Sequence, residues 1–320
     1  MARLACSLDP GRSLDEAASR ARLAEELGYD SLWVTHVAAR EPLQVLGFYA
    51  RATDRIGLGT GVVPIVLRHP ALLAMEAATL DEACGGRLRL GIGVSHRLTV
   101  EGWYGLSLDD PLGRMREHAT ILRTLLRERG VNLEGTHHTA RFSFMGYSPP
   151  RPDLPVLFAA LGPGMLRLAA ELADGVILWM CNPGYVRDVV RPTLEEALPA
   201  RGRSFDDFEV MAAVPVALTE DREAARDAFR RRALPYANLP FYRKAIAAGG
   251  HGEDLDRVDR GEPLSDAFCH DHAGIGDAAA VRAKIEEYRA AGVTLPSVGP
   301  LGRHPGGASV EETLEAVAGR

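Results

Sequence analysis

Apolar runs and amphipathic stretches alternate along this chain from end to end. Arg3–Leu8, Ser31–Val34 and Arg55–Val63 are short apolar runs typical of buried strands, and each is followed by a segment with helical periodicity. The remaining strand-like runs are Arg87–Ile92, Pro155–Leu161, Gly175–Met180, Phe208–Leu218 and Gly292–Val298. Eight strands that alternate with helices predict a parallel sheet, and this number fits a closed (β/α)8 TIM barrel.

The boundaries of the first helix follow ordinary capping signals. Ser13 and Glu16 have the spacing of a capping box, and Gly28 is a typical C-terminal stop. A doubly wound sheet is the alternative architecture. That fold would place a dinucleotide fingerprint in the first unit, where this chain has Asp9-Pro10-Gly11-Arg12 instead. The TIM barrel is therefore the preferred prediction.

We expect one domain over residues 1–320, with two insertions into the barrel. The first lies near residues 131–150, where Val131–Phe144 resembles a β-hairpin that turns at Glu134-Gly135. The second lies near residues 233–273 and is polar, glycine-bearing and poorly periodic. Such a segment is expected to cover the barrel mouth as a lid or to serve a partner subunit.

Composition limits the class of protein. The net charge of -6 argues against a generic nucleic-acid surface, and the hydrophobic content of 46% supports a large core. No apolar run approaches the roughly 20 residues of a membrane helix. The N-terminus lacks an apolar signal core, so we expect a cytoplasmic protein. The four cysteines are widely separated and are expected to be reduced structural thiols.

In a TIM barrel the active site lies at the carboxyl ends of the strands. His36 follows the second predicted strand and His96 follows the fourth, so both are candidate catalytic residues. Imidazole can donate or accept a proton near neutral pH, or hydrogen-bond a bound carbonyl. The alternative is a histidine that merely packs against a loop.

The turn Gly162-Pro163-Gly164-Met165 joins the fifth strand to a helix. Flexible backbone and free amides at a helix start suit a phosphate group, although an ordinary βα turn has the same composition. His137-His138 and His270-Asp271-His272 have metal-ligand character, but neither has a convincing third ligand nearby. We therefore expect no metal site.

Several motifs resemble the bacterial luciferase-like superfamily. They are Thr60-Gly61-Val62, Leu67-Arg68-His69-Pro70, Thr79-Leu80-Asp81, Gly85-Gly86-Arg87 and Leu90-Gly91-Ile92-Gly93. Two further motifs, Leu161-Gly162-Pro163-Gly164-Met165-Leu166 and Ala173-Asp174-Gly175-Val176, are most similar to the methylenetetrahydromethanopterin reductase branch. That branch uses the deazaflavin coenzyme F420. Close relatives use FMN, which is the alternative cofactor.

The resemblance implies a deazaflavin ring lying across the strand ends. It implies a non-prolyl cis peptide at Gly61–Val62 behind the ring, and a phosphate cradle in the fifth βα turn. His36 matches the histidine of a common Asp-His pair after the second strand. The cofactor-binding residues expected on this basis are Gly61, Val62, Val94, Ser95, Leu161, Gly162, Gly164 and Met165.

Three positions depart from the related enzymes. Thr35 stands where many deazaflavin members have aspartate, and Ser7 stands where the methanopterin reductases have glutamate. His96 occupies the position of an acidic residue found in the sugar-phosphate dehydrogenases. The resemblance therefore implies a cofactor site that is kept and a substrate site that is changed.

These observations predict an F420-dependent oxidoreductase of the luciferase-like family. It would transfer a hydride between C5 of the deazaflavin and a small organic substrate, with His36 or His96 orienting the substrate or donating a proton. Trp33, Trp103 and Trp179 are candidates for either the site wall or the core. The alternatives are an FMN-dependent monooxygenase and a non-catalytic F420- or flavin-binding protein. Because relatives commonly dimerise, we expect a homodimer.

Overall fold

A computed structural model describes residues 3–302 and 304–318 of the chain. Eight parallel strands form a closed barrel, which confirms the predicted (β/α)8 fold. Each strand pairs with the next one along the chain, and the last pairs with the first. In chain order the strands are β1 Ala5–Ser7, β2 Ser31–Val34, β3 Gly57–Thr60, β4 Leu88–Gly93, β5 Val156–Ala159, β6 Gly175–Leu178, β7 Glu209–Leu218 and β8 Leu295–Pro300.

Helices surround the barrel, and several begin at a side-chain cap, including the predicted one at Ser13. The Ser13 hydroxyl accepts from the N–H of Glu16 at 3.1 Å, and the Asn182 side chain accepts from the N–H of Tyr185 at 2.8 Å. The Glu16 carboxylate accepts from Arg12 rather than from Ser13, so the predicted capping box is only half formed. The surrounding helices are Leu14–Glu26, Pro42–Ala52, Ile65–Leu67, Pro70–Ala83, Leu98–Trp103, Pro111–Glu128, Pro163–Leu172, Pro183–Tyr185, Val186–Val190, Arg191–Ala197, Leu198–Arg201, Phe205–Asp207, Ala278–Ala291 and Val310–Ala318.

Trp33 fills the inside of the barrel. Its side chain is fully buried, and its Nε1 donates to the Ser31 hydroxyl at 3.0 Å. A Cβ on Gly59 would lie 2.3 Å from the Trp33 ring, so only glycine fits beside it. The structure therefore assigns Trp33 to the core. Its neighbours inside the barrel are Ala5, Leu157, Ile177, Met211, Leu295 and the partly buried Val62.

The first predicted insertion is confirmed as a hairpin. Gly130–Glu134 and Thr139–Ser143 pair antiparallel, with Glu134 opposite Thr139. The Glu117 carboxylate accepts three backbone N–H groups of the turn, at 2.8 to 2.9 Å. These bonds attach the hairpin turn to the helix that precedes it.

The second predicted insertion is largely helical. Residues 233–273 are helical rather than irregular, and the first helix already begins at Arg222. The helices are Arg222–Ala237, Pro240–Ile246, Ala247–His251, Gly252–Asp259 and Asp266–His272. They share a small core that includes Phe229, Tyr242, Leu255 and Phe268. Most are too short to show an apolar period, and tertiary packing rather than local pattern stabilises them.

A short strand after the insertion connects it to the barrel. Gly274–Gly276 pairs with Val216–Leu218 at the carboxyl end of β7, which is the longest barrel strand with 10 residues. This pairing places the insertion above the barrel mouth.

Cys6, Cys84, Cys181 and Cys269 are buried free thiols, as predicted. In the two described stretches, none of the helices has the length and apolar character needed to cross a membrane.

Candidate active site

The segment after β3 packs closely against β4. The Thr60 hydroxyl forms two hydrogen bonds with the backbone of Gly91: it donates to the carbonyl at 2.8 Å and accepts from the N–H at 2.9 Å. The next peptide bond, Gly61–Val62, is cis, which confirms this part of the prediction. A Cβ on Gly93 would lie 2.8 Å from the Val62 side chain. Glycine is therefore needed at these positions of β4, because the cis segment lies against them and leaves no room for a side chain.

Val94 and Ser95 leave the carboxyl end of β4 beside this segment. Both are half-buried, and Ser95 has a φ of 65°, in the left-handed region that non-glycine residues seldom adopt. Met180, which follows β6 at the same end of the barrel, also has a positive φ of 55°. Such conformations persist only where the surrounding structure enforces them, and they are concentrated at functional sites.

The fifth βα turn presents an open helix start. The helix begins at Pro163, and Gly162 precedes it in extended conformation with no side-chain cap. Gly162 and Gly164 are exposed, and Met165 is half-buried. A hydrogen bond holds the backbone of Leu161 in place, since its carbonyl accepts from the Tyr185 hydroxyl at 2.5 Å. The positive end of the helix dipole therefore faces open space, as an anion site requires.

His36 lies half-buried after β2, beside an ion-paired group. Arg68 binds Glu41 at 2.7 Å and Glu76 at 3.1 Å. Burial lowers the pKa of His36; the charge of Arg68 lowers it further, and the charge of Glu41 opposes the shift. The Nδ1 atom of His36 is buried and has no hydrogen-bond partner within the described residues. The imidazole is thus neutral at pH 7, with one nitrogen left for a ligand.

His96 lies in a different, aromatic environment. Its ring centroid is 5.4 Å from that of Tyr242 and 6.1 Å from that of Tyr236, both on the inserted helices. Burial lowers the pKa of His96. Trp179 joins the same group, with its ring 5.5 Å from Tyr236. We call His96, Trp179, Tyr236 and Tyr242 the aromatic wall.

The positions that depart from the related enzymes lie at the same barrel end. The Ser7 hydroxyl is 2.7 Å from that of Ser297, so β1 and β8 are joined there by two neutral groups. Thr35 is exposed. Trp103 lies in the helix after β4 and is 54% exposed, so it belongs to neither the core nor the aromatic wall.

Comparison with known proteins agrees with this geometry. The family model described as luciferase-like monooxygenase matches residues 1–295. The chain belongs to this family. Its match extends through seven of the eight barrel strands and into β8, and it includes both insertions.

Members of the luciferase-like family with similar sequences include two curated proteins. One, from Mycobacterium tuberculosis, is named as a presumed coenzyme F420-dependent oxidoreductase; it is 31% identical over 302 residues, covering 85% of this chain and 87% of the relative. The other, the 5,10-methylenetetrahydromethanopterin reductase of Archaeoglobus fulgidus, is 35% identical over 212 residues, covering 65% and 62%.

A solved structure of the same family superposes over almost the whole chain. It is the coenzyme F420-dependent tetrahydromethanopterin reductase of Methanopyrus kandleri, with a TM-score of 0.84 and 26% identity. The alignment covers 99% of this chain and 97% of that structure. The fold, including the insertions, is therefore similar to that of this reductase throughout.

Two parts of this luciferase-like site were not predicted from the sequence. Arg68 stands within a recognised motif but was assigned no role, and its ion pairs appear only in three dimensions. Tyr236 and Tyr242 lie in the insertion that was expected to be irregular. Periodicity could not show that they meet at the barrel mouth, because they lie on two separate helices, of 16 and 7 residues.

Proposed function

We propose that this chain is an F420-dependent oxidoreductase that transfers a hydride between the deazaflavin C5 and a small organic substrate. The observation that carries the proposal is one barrel mouth that holds both the Gly61–Val62 segment packed on β4 and the uncapped helix start at Gly162. The names of the M. tuberculosis relative and of the M. kandleri structure support F420 as the cofactor.

The residues present fit the cofactor. The segment Gly61–Val62, packed on β4, offers a surface for the ring system, with Val94 and Ser95 at its border. The exposed turn from Gly162 to Met165 offers backbone amides and a helix dipole to the phosphate. Leu161 precedes this turn and is held by Tyr185. A phosphate needs no cationic side chain at such a site.

When bound, F420 supplies a two-electron hydride carrier that reacts poorly with dioxygen. The chain supplies position and hydrogen bonds. Neutral His36 can hold a substrate carbonyl or hydroxyl through its unpartnered Nδ1, and neutral His96 can do the same from the aromatic wall. Since Ser7 and Thr35 carry no carboxylate, we assign no residue as the acid that donates a proton to the substrate.

Titration of the purified protein with F420 and with FMN, followed by fluorescence, tests the cofactor. The proposal expects F420 to bind much more tightly than FMN. Binding of FMN alone would make the chain an FMN-dependent monooxygenase instead.

A substrate panel tests turnover. The F420-loaded protein is mixed with alcohols, and the protein loaded with reduced F420 is mixed with ketones, aldehydes and activated alkenes. Tight cofactor binding without turnover across the panel would favour the non-catalytic alternative.

We further propose that the chain acts as a single domain in a homodimer. Phe48, Leu72 and Met75 are large apolar side chains that stay 48%, 43% and 38% exposed on two adjacent helices. Such neighbouring exposure is typical of an interface. Sedimentation equilibrium of the wild type measures the oligomeric state, and one cooperative thermal transition is expected for one domain.

A further inference from the structure

Arg232 belongs to the inserted helix Arg222–Ala237 but reaches the barrel mouth. Its Nη1 donates to the carbonyl of Pro300, the last residue of β8, at 3.4 Å. Its guanidinium carbon lies 5.2 Å from the centroid of the Trp179 ring, which follows β6. These contacts place a positive charge between the ends of two barrel strands.

Within the described residues, this charge has no counter-ion in contact with it. Arg226 and Arg230, on the same helix, are both paired with carboxylates. By contrast, none of the ion pairs in the described part of the chain involves Arg232. The carboxylate of Asp9, after β1, influences the guanidinium only from beyond ion-pair distance.

The Arg232 side chain is exposed, although it lies against Trp179. Desolvation lowers the pKa of the guanidinium, which stays charged at any physiological pH. An exposed guanidinium without a carboxylate partner is available to bind an oxyanion of a ligand.

The adjacent aromatic wall defines the rest of the ligand. The guanidinium of Arg232 lies over the Trp179 ring, and the Tyr236 ring meets that of Trp179 edge to face at 5.5 Å. The Nε1 of Trp179 is buried and has no acceptor within the described residues. A donor without a partner and a cation without a counter-ion therefore lie side by side. Both suit an oxyanion attached to an apolar or aromatic body.

We propose that Arg232 binds the carboxylate or phosphate of an anionic substrate, whose organic part packs against Trp179 and Tyr236. This inference rests on the proposed function, because the same mouth must present the reacting carbon to F420. It narrows the substrate from any small organic molecule to an organic acid or phosphate ester. Arg232 is accordingly a specificity-determining residue rather than a catalytic residue.

Binding of benzoate, phenyl phosphate and benzamide to the cofactor-free protein tests the proposal by ligand-observed NMR. The two anions and the neutral amide have the same ring, so their difference reports the charge. The wild type is expected to bind one or both anions roughly tenfold or more tightly than benzamide. Arg232→Gln should lose this preference and keep its affinity for benzamide, whereas Arg232→Lys should keep part of the preference.

Arg231→Gln is the matched control, since Arg231 is the preceding residue on the same helix and is also exposed; this substitution should leave the preference unchanged. Equal binding of anions and amide by the wild type, no detectable binding of any probe, or an unchanged preference in Arg232→Gln would overturn the proposal. A parallel F420 titration of Arg232→Gln should match the wild type; a loss of F420 affinity would make Arg232 a cofactor contact instead. Because the probes are measured without cofactor, a wild type that fails to bind F420 contradicts the proposed function separately.

Discussion

Thr60 and Gly91 join β3 to β4 through two hydrogen bonds from a single side chain, at 2.8 and 2.9 Å. Both residues are buried, and the cis Gly61–Val62 bond directly follows Thr60. One hydroxyl thus satisfies both backbone groups of Gly91. This arrangement sets the position of the segment on which the proposed cofactor site depends.

Thr60→Val should lower the free energy of unfolding by about 3 kcal/mol. The substitution keeps the shape of the side chain but leaves the buried N–H and carbonyl of Gly91 without partners, at about 1–3 kcal/mol each. Urea unfolding measures the change. Thr60→Ser, which retains the hydroxyl, should lose clearly less. Equal losses in the two variants would mean that the methyl group, and not the hydrogen bonds, stabilises this position.

Gly91→Ala should be more damaging than any change at an ordinary glycine. The new Cβ would lie 1.9 Å from the backbone oxygen of Thr60, so β3 and β4 must separate. We expect a loss on the order of 4 kcal/mol or more, measured by thermal and urea unfolding. Gly47→Ala is the matched control, because it lies within a helix and its Cβ would meet nothing within 4 Å. That variant should gain roughly 0.5–1 kcal/mol.

Strands and hairpin could be predicted from the sequence because each is a continuous run with its own pattern. The helices Pro240–Ile246 and Asp266–His272 could not, since each has only 7 residues and is stabilised by contacts with the others. The insertion therefore looked irregular.

The candidate site likewise has one part that could be predicted from the sequence and one part that could not. The cis bond at Gly61–Val62 was predicted from family resemblance, and no spacing argument alone would have supplied it. Arg232 was missed because its contacts join chain positions 179, 232 and 300. In the sequence it is the third of three consecutive arginines, a pattern typical of the exposed surface of a helix.

Met165→Glu should weaken F420 binding without unfolding the protein. Position 165 is in the first turn of its helix, where a carboxylate is favourable to the helix dipole but repels a phosphate at the same amides. We expect roughly a tenfold or greater rise in the Kd for F420. Met165→Gln has the same size without the charge and should bind nearly as the wild type. Equal affinities in both variants would place the phosphate elsewhere.

His118 should make the protein less stable as the pH falls. Its side chain is fully buried, and burial lowers its pKa to about 3, with the charges of His138 and His69 adding to the shift. Between pH 6.5 and that value the unfolded chain binds a proton that the folded chain excludes, so stability decreases on acidification. This group alone should remove about 2 kcal/mol by about pH 5.

His118→Gln tests this linkage, because glutamine can still donate to the carbonyl of Arg68 as Nε2 of the histidine does at 3.3 Å. The variant should be less stable at about pH 7.5, yet lose about 2 kcal/mol less than the wild type on going to about pH 5. His270→Gln, on the exposed surface, controls for the residue change. An identical pH dependence in His118→Gln and wild type would contradict the prediction.

His36→Asn should lower kcat while leaving the Kd for F420 nearly intact, with any substrate of the panel that turns over. The pKa of His36 lies below its ordinary value of 6.5, chiefly because of burial, so the neutral imidazole is the form that meets the substrate at pH 7. In the wild type kcat/KM should accordingly stay level above that value and fall only at lower pH, as the ring becomes protonated. Asparagine has no proton to gain in this range, so the variant should lose the acid limb of the profile. A variant that keeps the limb would shift the assignment to His96, whose pKa is lowered by burial in the aromatic wall. A loss of F420 affinity would instead make His36 a cofactor ligand.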